Sequence, residues 1–369
     1  MQVATLAEAT PGCIKLCYGE SDLPTPPFIV RALHEAALAG HTTYTHTAGA
    51  PELRDAIAVK VRELHGVDLA RDEVMATVGG TMAIYIAIRA FVGAGDNAVI
   101  VSPAYAIYAN AVAMAGGEAR QVPLAADGPR YVLDLERATR AVDARTRMII
   151  VNSPSNPTGW MITEAEQRDL ARLAQERGAV ILADEVYERL AFGAEVAPSF
   201  ARVMTGDARE HLVVVNSFSK TYNMTGWRLG WAQASARTIR LMYAAAEFVT
   251  SNPTAMVQQS GIVALRDGDE SVREMRAHLT ARRTQLMQAA ATMPGVELHE
   301  PKGAFYGFLR VDGLTDSAAR ATQLVRDAGV ALAPGSAFGP GGEGHLRICF
   351  ASTEATLGHA LERLRASAG

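Results

Sequence analysis

The amino-acid sequence predicts an α/β protein: a large domain whose mostly parallel central sheet is flanked by helices, joined to a smaller α+β domain. Three observations lead there. Short apolar runs alternate with helical patterns through the middle of the chain, at 98–101, 148–151, 180–183 and 212–215. Each run ends in a group of polar, chemically capable residues, as expected at the ligand-binding edge of an open sheet. Past about residue 269 the alternation gives way to a long helical pattern followed by short strand-like pieces.

In chain order, Met75-Ala76-Thr77-Val78 reads as a strand. Gly79, Gly80 and Thr81 follow it and open a helical pattern from Met82, which puts backbone amides and a hydroxyl at a helix N-terminus, a natural anion site. The runs 98–101 and 148–151 are apolar throughout rather than alternating, which suits strands covered on both faces. Between 148–151 and 180–183 a helix opens with a capping box, Thr163 with Glu166, and closes at Gly178, with Leu170, Leu173 and Ala174 facing the sheet. The run 212–215 leads into Asn216-Ser217-Phe218-Ser219-Lys220 and on to Gly226-Trp227-Arg228. In the last third, Val272, Met275, Leu279 and Leu286 mark the apolar stripe of a long helix, and Arg273, Arg276, Arg282 and Arg283 are expected on its solvated face. Ala304-Phe305-Tyr306 and His345-Leu346-Arg347-Ile348-Cys349-Phe350 read as strands. The glycine-rich stretch 339–344 follows no strong strand and opens no helix, so it reads as a loop rather than a dinucleotide fingerprint. The expected division is a large domain over 33–269 and a small one from 1–32 with 270–369.

Composition narrows the function. A length of 369 residues suits two domains, and a formal charge of -4, dispersed along the chain, argues against nucleic acid or an acidic membrane surface as partner. No uncharged apolar run approaches a membrane span, and the N-terminus lacks a signal peptide's basic start and apolar core. The three cysteines, Cys13, Cys17 and Cys349, form no CxxC pair, which points to a reducing, cytoplasmic compartment. The nine histidines form no ligand set; His41 and His46 come nearest, and no metal is expected.

The polar residues after the strands carry the chemistry. A lysine just past a buried strand can form an imine with a carbonyl compound, while Ser217 and Arg228 are suited to a phosphate. Together they suggest pyridoxal 5'-phosphate. Arg347 lies in a strand, and a guanidinium clamps a carboxylate through two parallel hydrogen bonds, a geometry fitted to an amino acid's α-carboxylate.

In this order the motifs Gly19-Glu20-Ser21-Asp22, Tyr44 to Arg54, Gly79-Gly80-Thr81, Tyr105, Asn156-Pro157-Thr158-Gly159, Asp184-Glu185-Val186-Tyr187, Ser217 to Arg228, Gly303 to Tyr306 and Arg347 resemble the class I/II aminotransferases, enzymes of fold type I that use pyridoxal phosphate. The resemblance implies that Lys220 is the Schiff-base lysine and proton shuttle; to lose its own proton near neutral pH it needs a partly desolvated place near another cation, which Arg228 can provide. It makes Asp184 the partner of the ring nitrogen, Asn156 and Tyr187 the partners of the ring hydroxyl, and Tyr105 the stacking ring. Gly79, Gly80, Thr81, Ser217 and Arg228 would cradle the phosphate; Tyr44 would reach a neighbouring subunit's phosphate, which implies a homodimer. Gly19, Asn156 and Arg347 would meet the substrate. The implied reaction moves an amino group from an L-amino acid to a 2-oxo acid; a lyase, such as one eliminating from a cysteine-type substrate, is the alternative on the same fold.

No second arginine stands out for a dicarboxylate's distal acid, and Tyr18, Ile107, Tyr108 and Phe305 are candidates for the wall around the donor's side chain, which suggests neutral or aromatic donors. Glu247 is a candidate for receiving a basic side chain instead. Ser21 stands where the family more often has proline, so the shape of that wall is open.

Overall fold

The structure is a computed structural model that describes residues 2–128 and 130–367. The apolar runs become neighbouring strands of one seven-stranded sheet, in the order Val74–Thr77, Gly230–Ala234, Leu212–Ser217, Val180–Asp184, Thr146–Asn152, Asn97–Ser102, Glu118–Pro123. All run parallel except Gly230–Ala234, which is antiparallel to both neighbours. Successive side chains alternate between two buried layers: Ala98, Ile100, Met148, Ile150, Leu182 and Val213 enter one, Val99, Val101, Ile149, Val151, Ile181 and Val214 the other. Double coverage explains why these strands read as unbroken apolar runs, each Val or Ile contributing about 1.5–3 kcal/mol of transfer free energy. Helix Glu164–Arg177 is capped as its sequence predicts, Thr163 and Glu166 satisfying each other's amides and Gly178 closing it at φ 65°, while Leu170, Leu173 and Ala174 pack into the second layer.

The reversed strand decides where the chemistry gathers. Gly230 pairs with Ser217 on one side and Thr77 on the other, so its strand begins where its two neighbours end. Gly79, Gly80, Ser217 and Arg228 are thereby delivered to one edge. Gly230 has no room for a Cβ, which would lie 2.7 Å from the Gly80 nitrogen and 2.8 Å from the Asn216 oxygen.

A second sheet is antiparallel, in the order Val296–Leu298, Tyr306–Val311, His345–Cys349, Ala333–Pro334, and packs with helices Asp269–Ala290, Ser317–Asp327 and Glu354–Ala366. The N-terminal strand Ile14–Lys15 joins Val330–Ala331 in parallel. Helix Pro27–Leu38 runs through position 33 and packs against Ala255–Asp267. The two sheets are tied together by backbone bonds: Lys302 N to Gly159 O at 2.8 Å, Phe192 N to Lys302 O at 2.8 Å, and Ala104 N to Phe338 O at 2.9 Å. On the long helix, Arg273 is solvated, but Arg282 is buried and donates to Glu354 at 3.0 Å, and Arg283 donates to the Pro301 carbonyl at 2.6 Å. That half of the arginine face therefore bridges to neighbouring segments instead of meeting water. No helix among the described residues is long and apolar enough to cross a membrane.

Candidate active site

A cavity of about 250 Å³ opens at the carboxyl edge of the central sheet. Gly19, Gly80, Thr81, Tyr105, Asn156, Asp184, Tyr187, Ser217, Lys220, Arg228 and Arg347 all line it, from segments spread over nearly the whole chain. Gly79 lies immediately behind: with φ at +78° and a Cβ position that would strike the Arg228 guanidinium, only glycine fits there. Tyr44 is elsewhere. Its ring is 89% exposed, beside a surface cleft shared with Thr250, Ser251 and Asn252.

Lys220 leaves the strand Leu212–Ser217 on a single helical turn, Phe218–Thr221, whose N-terminus Ser217 caps by accepting the Ser219 amide at 3.1 Å. Its Nζ donates to the Gly19 carbonyl at 2.5 Å and lies 5.8 Å from the centre of the Phe305 ring. Burial is the main cause that pushes this ammonium down to about 8, with Arg347 and Arg228 adding repulsion against the opposing pull of Cys349 and Glu20. The sequence points to partial desolvation beside the cation Arg228, and of the two desolvation is the larger influence. Arg228 itself adopts φ 56°, a left-handed turn that swings its side chain back over Gly79, and it donates to the Thr225 carbonyl at 2.8 Å.

Asp184 ends its strand at the cavity floor. Tyr108 donates its hydroxyl to Oδ2 at 2.5 Å and the Val186 amide donates to Oδ1 at 3.2 Å, while among the described residues no lysine or arginine bonds the carboxylate. Burial pushes its carboxyl up to about 6 even though both hydrogen bonds pull the other way. Asn152 and Asp184 are partners in strand register; Asn152 donates to the Asp184 carbonyl at 3.0 Å and accepts the Asn156 amide at 2.8 Å, so it links the two loops.

Arg347 is buried between rings, its guanidinium carbon 4.6 Å from the centre of Tyr306 and 5.2 Å from that of Phe338. It donates to Asn156 Oδ1 at 3.1 Å and to the Cys17 carbonyl, and its Nε has no partner. Tyr187 shares its hydroxyl with Tyr306 at 2.8 Å, and burial raises both phenols' pKa values. Gly19 is required beneath Tyr306, since a Cβ there would lie 2.5 Å from the Tyr306 hydroxyl.

The wall differs from the sequence expectation. Tyr18, Ile107 and Phe305 do not line the cavity, and Tyr108 does so with its hydroxyl already engaged by Asp184. Tyr18 instead reaches Glu8 at 2.9 Å, and Glu247 is exposed at the end of helix Ala236–Glu247. The Ser21 hydroxyl accepts the Leu23 amide at 3.1 Å, a side-chain turn within the loop that leads to helix Pro27–Leu38. From sequence alone Asn152 and Tyr306 carry no role and Tyr108 only a place in the wall. Asn152 is the first polar residue after its run, a signal that could have singled it out; Tyr306 sits beside the named Phe305.

The arrangement suits a planar, anionic carbonyl cofactor. The glycines and Arg228 form a cradle that side chains would fill, a desolvated amine stands beside it, a buried carboxylate lacks a cation, and a buried guanidinium has a free Nε.

Comparisons with known proteins point the same way. A family model described as aminotransferase class I and II matches residues 11–364. The chain is 34% identical over 354 residues to an aspartate aminotransferase of Pyrococcus horikoshii, covering 95% of this chain and 89% of that protein. It is 34% identical over 363 residues to aromatic-amino-acid aminotransferase 2 of Thermococcus litoralis, covering 97% and 92%. Its fold matches N-succinyldiaminopimelate aminotransferase from Mycobacterium tuberculosis with a TM-score of 0.93 at 33% identity, covering 99% of this chain and 96% of that one.

Proposed function

The chain belongs to the class I and II aminotransferases, and from that premise we propose that it moves an amino group from an L-amino acid to a 2-oxo acid with pyridoxal 5'-phosphate as cofactor and Lys220 as the residue that carries it. The carrying observation is the buried amine of Lys220, held by a backbone carbonyl in the cavity that Gly80, Ser217 and Arg228 also line. The elimination alternative is not favoured, because the relatives are aminotransferases.

In this reading the amides of Gly79, Gly80 and Thr81, with Ser217 and Arg228, hold the phosphate, and the ring of Tyr105 covers the cofactor's face. Asp184 holds the proton on the ring nitrogen, while Asn156 and Tyr187 bond the ring oxygen. When bound, the cofactor supplies an electron sink for negative charge at the substrate's α-carbon. Arg347 grips the α-carboxylate through two parallel hydrogen bonds, with Asn156 and Gly19 beside it, which fixes the Cα–H bond toward Lys220. The neutral Nζ of Lys220 takes that proton as general base and returns it as general acid; its depressed pKa places both roles near working pH.

The donor is neutral or aromatic in this reading: among the described residues lining the cavity the cations are Lys220, Arg228 and Arg347, each already assigned. A homodimer is supported by the exposed ring of Tyr44 and by Phe248 and Val249, apolar side chains left in solvent on one chain. The free thiols Cys13, Cys17 and Cys349 fit a cytoplasmic location. The separate seven- and four-stranded sheets support a division near 269, while helix Pro27–Leu38, packed on Ala255–Asp267, moves the N-terminal boundary from 33 to before Pro27.

The test is a single half-reaction. Purified protein is mixed with each amino acid in turn while the cofactor's absorbance is followed, and 2-oxo acid product is assayed. Conversion with parent protein, none with Lys220→Ala, and borohydride labelling of the Lys220 peptide are expected; a label elsewhere sinks the proposal. Aspartate or glutamate as the best donor would refute the neutral pocket.

A further inference from the structure

Asp184 has a buried partner to which the proposed function assigns no role. Tyr108 lies near the start of helix Ile107–Met114, 1% exposed, with its ring set edge-on to Tyr105 at 6.3 Å between centres and 86° between planes. A phenol has one hydrogen to give, and this one goes to Asp184 Oδ2 at 2.5 Å. The other carboxylate oxygen takes the Val186 amide at 3.2 Å, and the Asp184 carbonyl takes Asn152 Nδ2 at 3.0 Å. The residue is thus held by side chain and main chain at once. Among the described residues the charged and titratable groups that face it are Lys220, Tyr187 and Tyr108 itself, and none of the cations forms an ion pair with it.

We propose that Tyr108 is a positioning residue: by donating its hydroxyl hydrogen to Oδ2 it keeps Asp184 ionised and in one orientation, ready to accept the hydrogen of a protonated ring nitrogen. The proposal rests on the assignment of Asp184 to that nitrogen. An ionised carboxylate only accepts, so it holds the ring in its protonated, electron-withdrawing form; a neutral carboxyl carries a hydrogen of its own and can be satisfied by an unprotonated ring. At a site this buried the neutral acid is the favoured form unless something donates to the anion, and Tyr108 and Val186 are the two donors present. The direction of the Asp184 shift agrees: burial raises its pKa, and the Tyr108 bond is the largest opposing influence. Phenylalanine would fill nearly the same volume and remove only the donor.

The readout is the titration of Asp184 in cofactor-free protein carrying 13C-carboxyl aspartate, followed by NMR and assigned with Asp184→Asn. In Tyr108→Phe the midpoint is expected to rise by about one pH unit or more, at least tenfold in proton affinity, as the loss of a hydrogen bond to an anion requires. Tyr108→His, which restores a donor, should bring it back toward the parent value. In the same variants the affinity for pyridoxal 5'-phosphate at pH 7 should fall about twofold with Tyr108→Phe for a midpoint moved from about 6 to about 7, and recover as the pH is raised past the new midpoint. A Tyr108→Phe protein with parent-like circular dichroism and an unmoved Asp184 midpoint overturns the proposal. Unchanged cofactor affinity and turnover in Asp184→Asn would instead overturn the assignment of Asp184 to the ring nitrogen, whichever way the tyrosine variants titrate.

Discussion

Replacing Lys220 with methionine is expected to make the cofactor-free protein more stable at neutral pH. The ammonium pays for its place by desolvation, which moves its pKa from 10.5 to about 8. A shift of that size corresponds to about 3 kcal/mol against the folded state, of which roughly half survives shielding by cavity water. Methionine also leaves the Gly19 carbonyl, now bonded at 2.5 Å, without its donor, a loss of about 1 kcal/mol. The net gain at pH 7 is therefore about 1 kcal/mol. Its pH dependence is the sharper signature. The unfolded chain keeps the lysine's proton up to 10.5 whereas the folded chain releases it near 8, so parent stability rises with pH between those values and the methionine advantage closes by about pH 10.5. Urea unfolding of both apo-proteins at pH 7 and pH 10, at constant ionic strength, measures the gap. A methionine variant that is less stable at pH 7, or a gap that does not change with pH, refutes the desolvation argument. The same shift leaves about a tenth of the amine neutral at pH 7, against fewer than about one in a thousand for a free lysine.

Arg347→Lys removes the planar fork that bonds Asn156 and the Cys17 carbonyl, and kcat/KM for the amino donor is expected to drop about a hundredfold with cofactor affinity unchanged. Steady-state kinetics beside a spectral cofactor titration would show it, and an unaltered kcat/KM would exclude the clamp. Gly19→Ala should push Tyr306 off Tyr187 and lower turnover about tenfold, with Tyr306→Phe in the same chain restoring part of it; no rescue means the clash lies elsewhere. His65 and Glu188 form a buried pair at 2.8 Å, and His65→Leu should cost about 3 kcal/mol in a melting experiment by stranding the carboxylate. Burial is the largest single influence and opposes the charge on His65, but the hydrogen bond with Glu188 together with the charges of Glu188 and Glu185 outweighs it and raises the pKa, so the pair's contribution is full below about 6.5 and fades as pH rises through the folded value.

What could be read from the chain was whatever local pattern encodes. The runs at 98–101 and 180–183, the cap at Thr163 and the glycines after Thr77 each state their structure within a few residues, and the family resemblance supplied the order of the site. Partners distant in sequence were another matter. Tyr108 follows Tyr105 by three positions and looks like a wall aromatic until the fold brings Asp184, 76 residues on, to its hydroxyl. Asn152 meets Asp184 only because their strands are neighbours in register, which neither strand's own residues declare. The strand Gly230–Ala234 was not anticipated, its five residues being mixed in character, yet its reversed direction is what returns Arg228 to the cavity edge beside Gly79. Arg282 went unrecognised as a bridge because Glu354, its partner, lies 72 residues away.

Assembly of the cavity spans the chain more widely than assembly of the sheet beneath it. All seven strands of the central sheet are complete once residue 234 has been synthesised, so a nascent polypeptide can form that layer while its last third is still on the ribosome. Arg347 and the Cys17 carbonyl lie 330 positions apart, a loop closure that waits for almost the entire chain and is correspondingly slow. A polypeptide halted before Arg347 therefore contains Gly79 and Arg228 but lacks the guanidinium that closes the other side of the cavity.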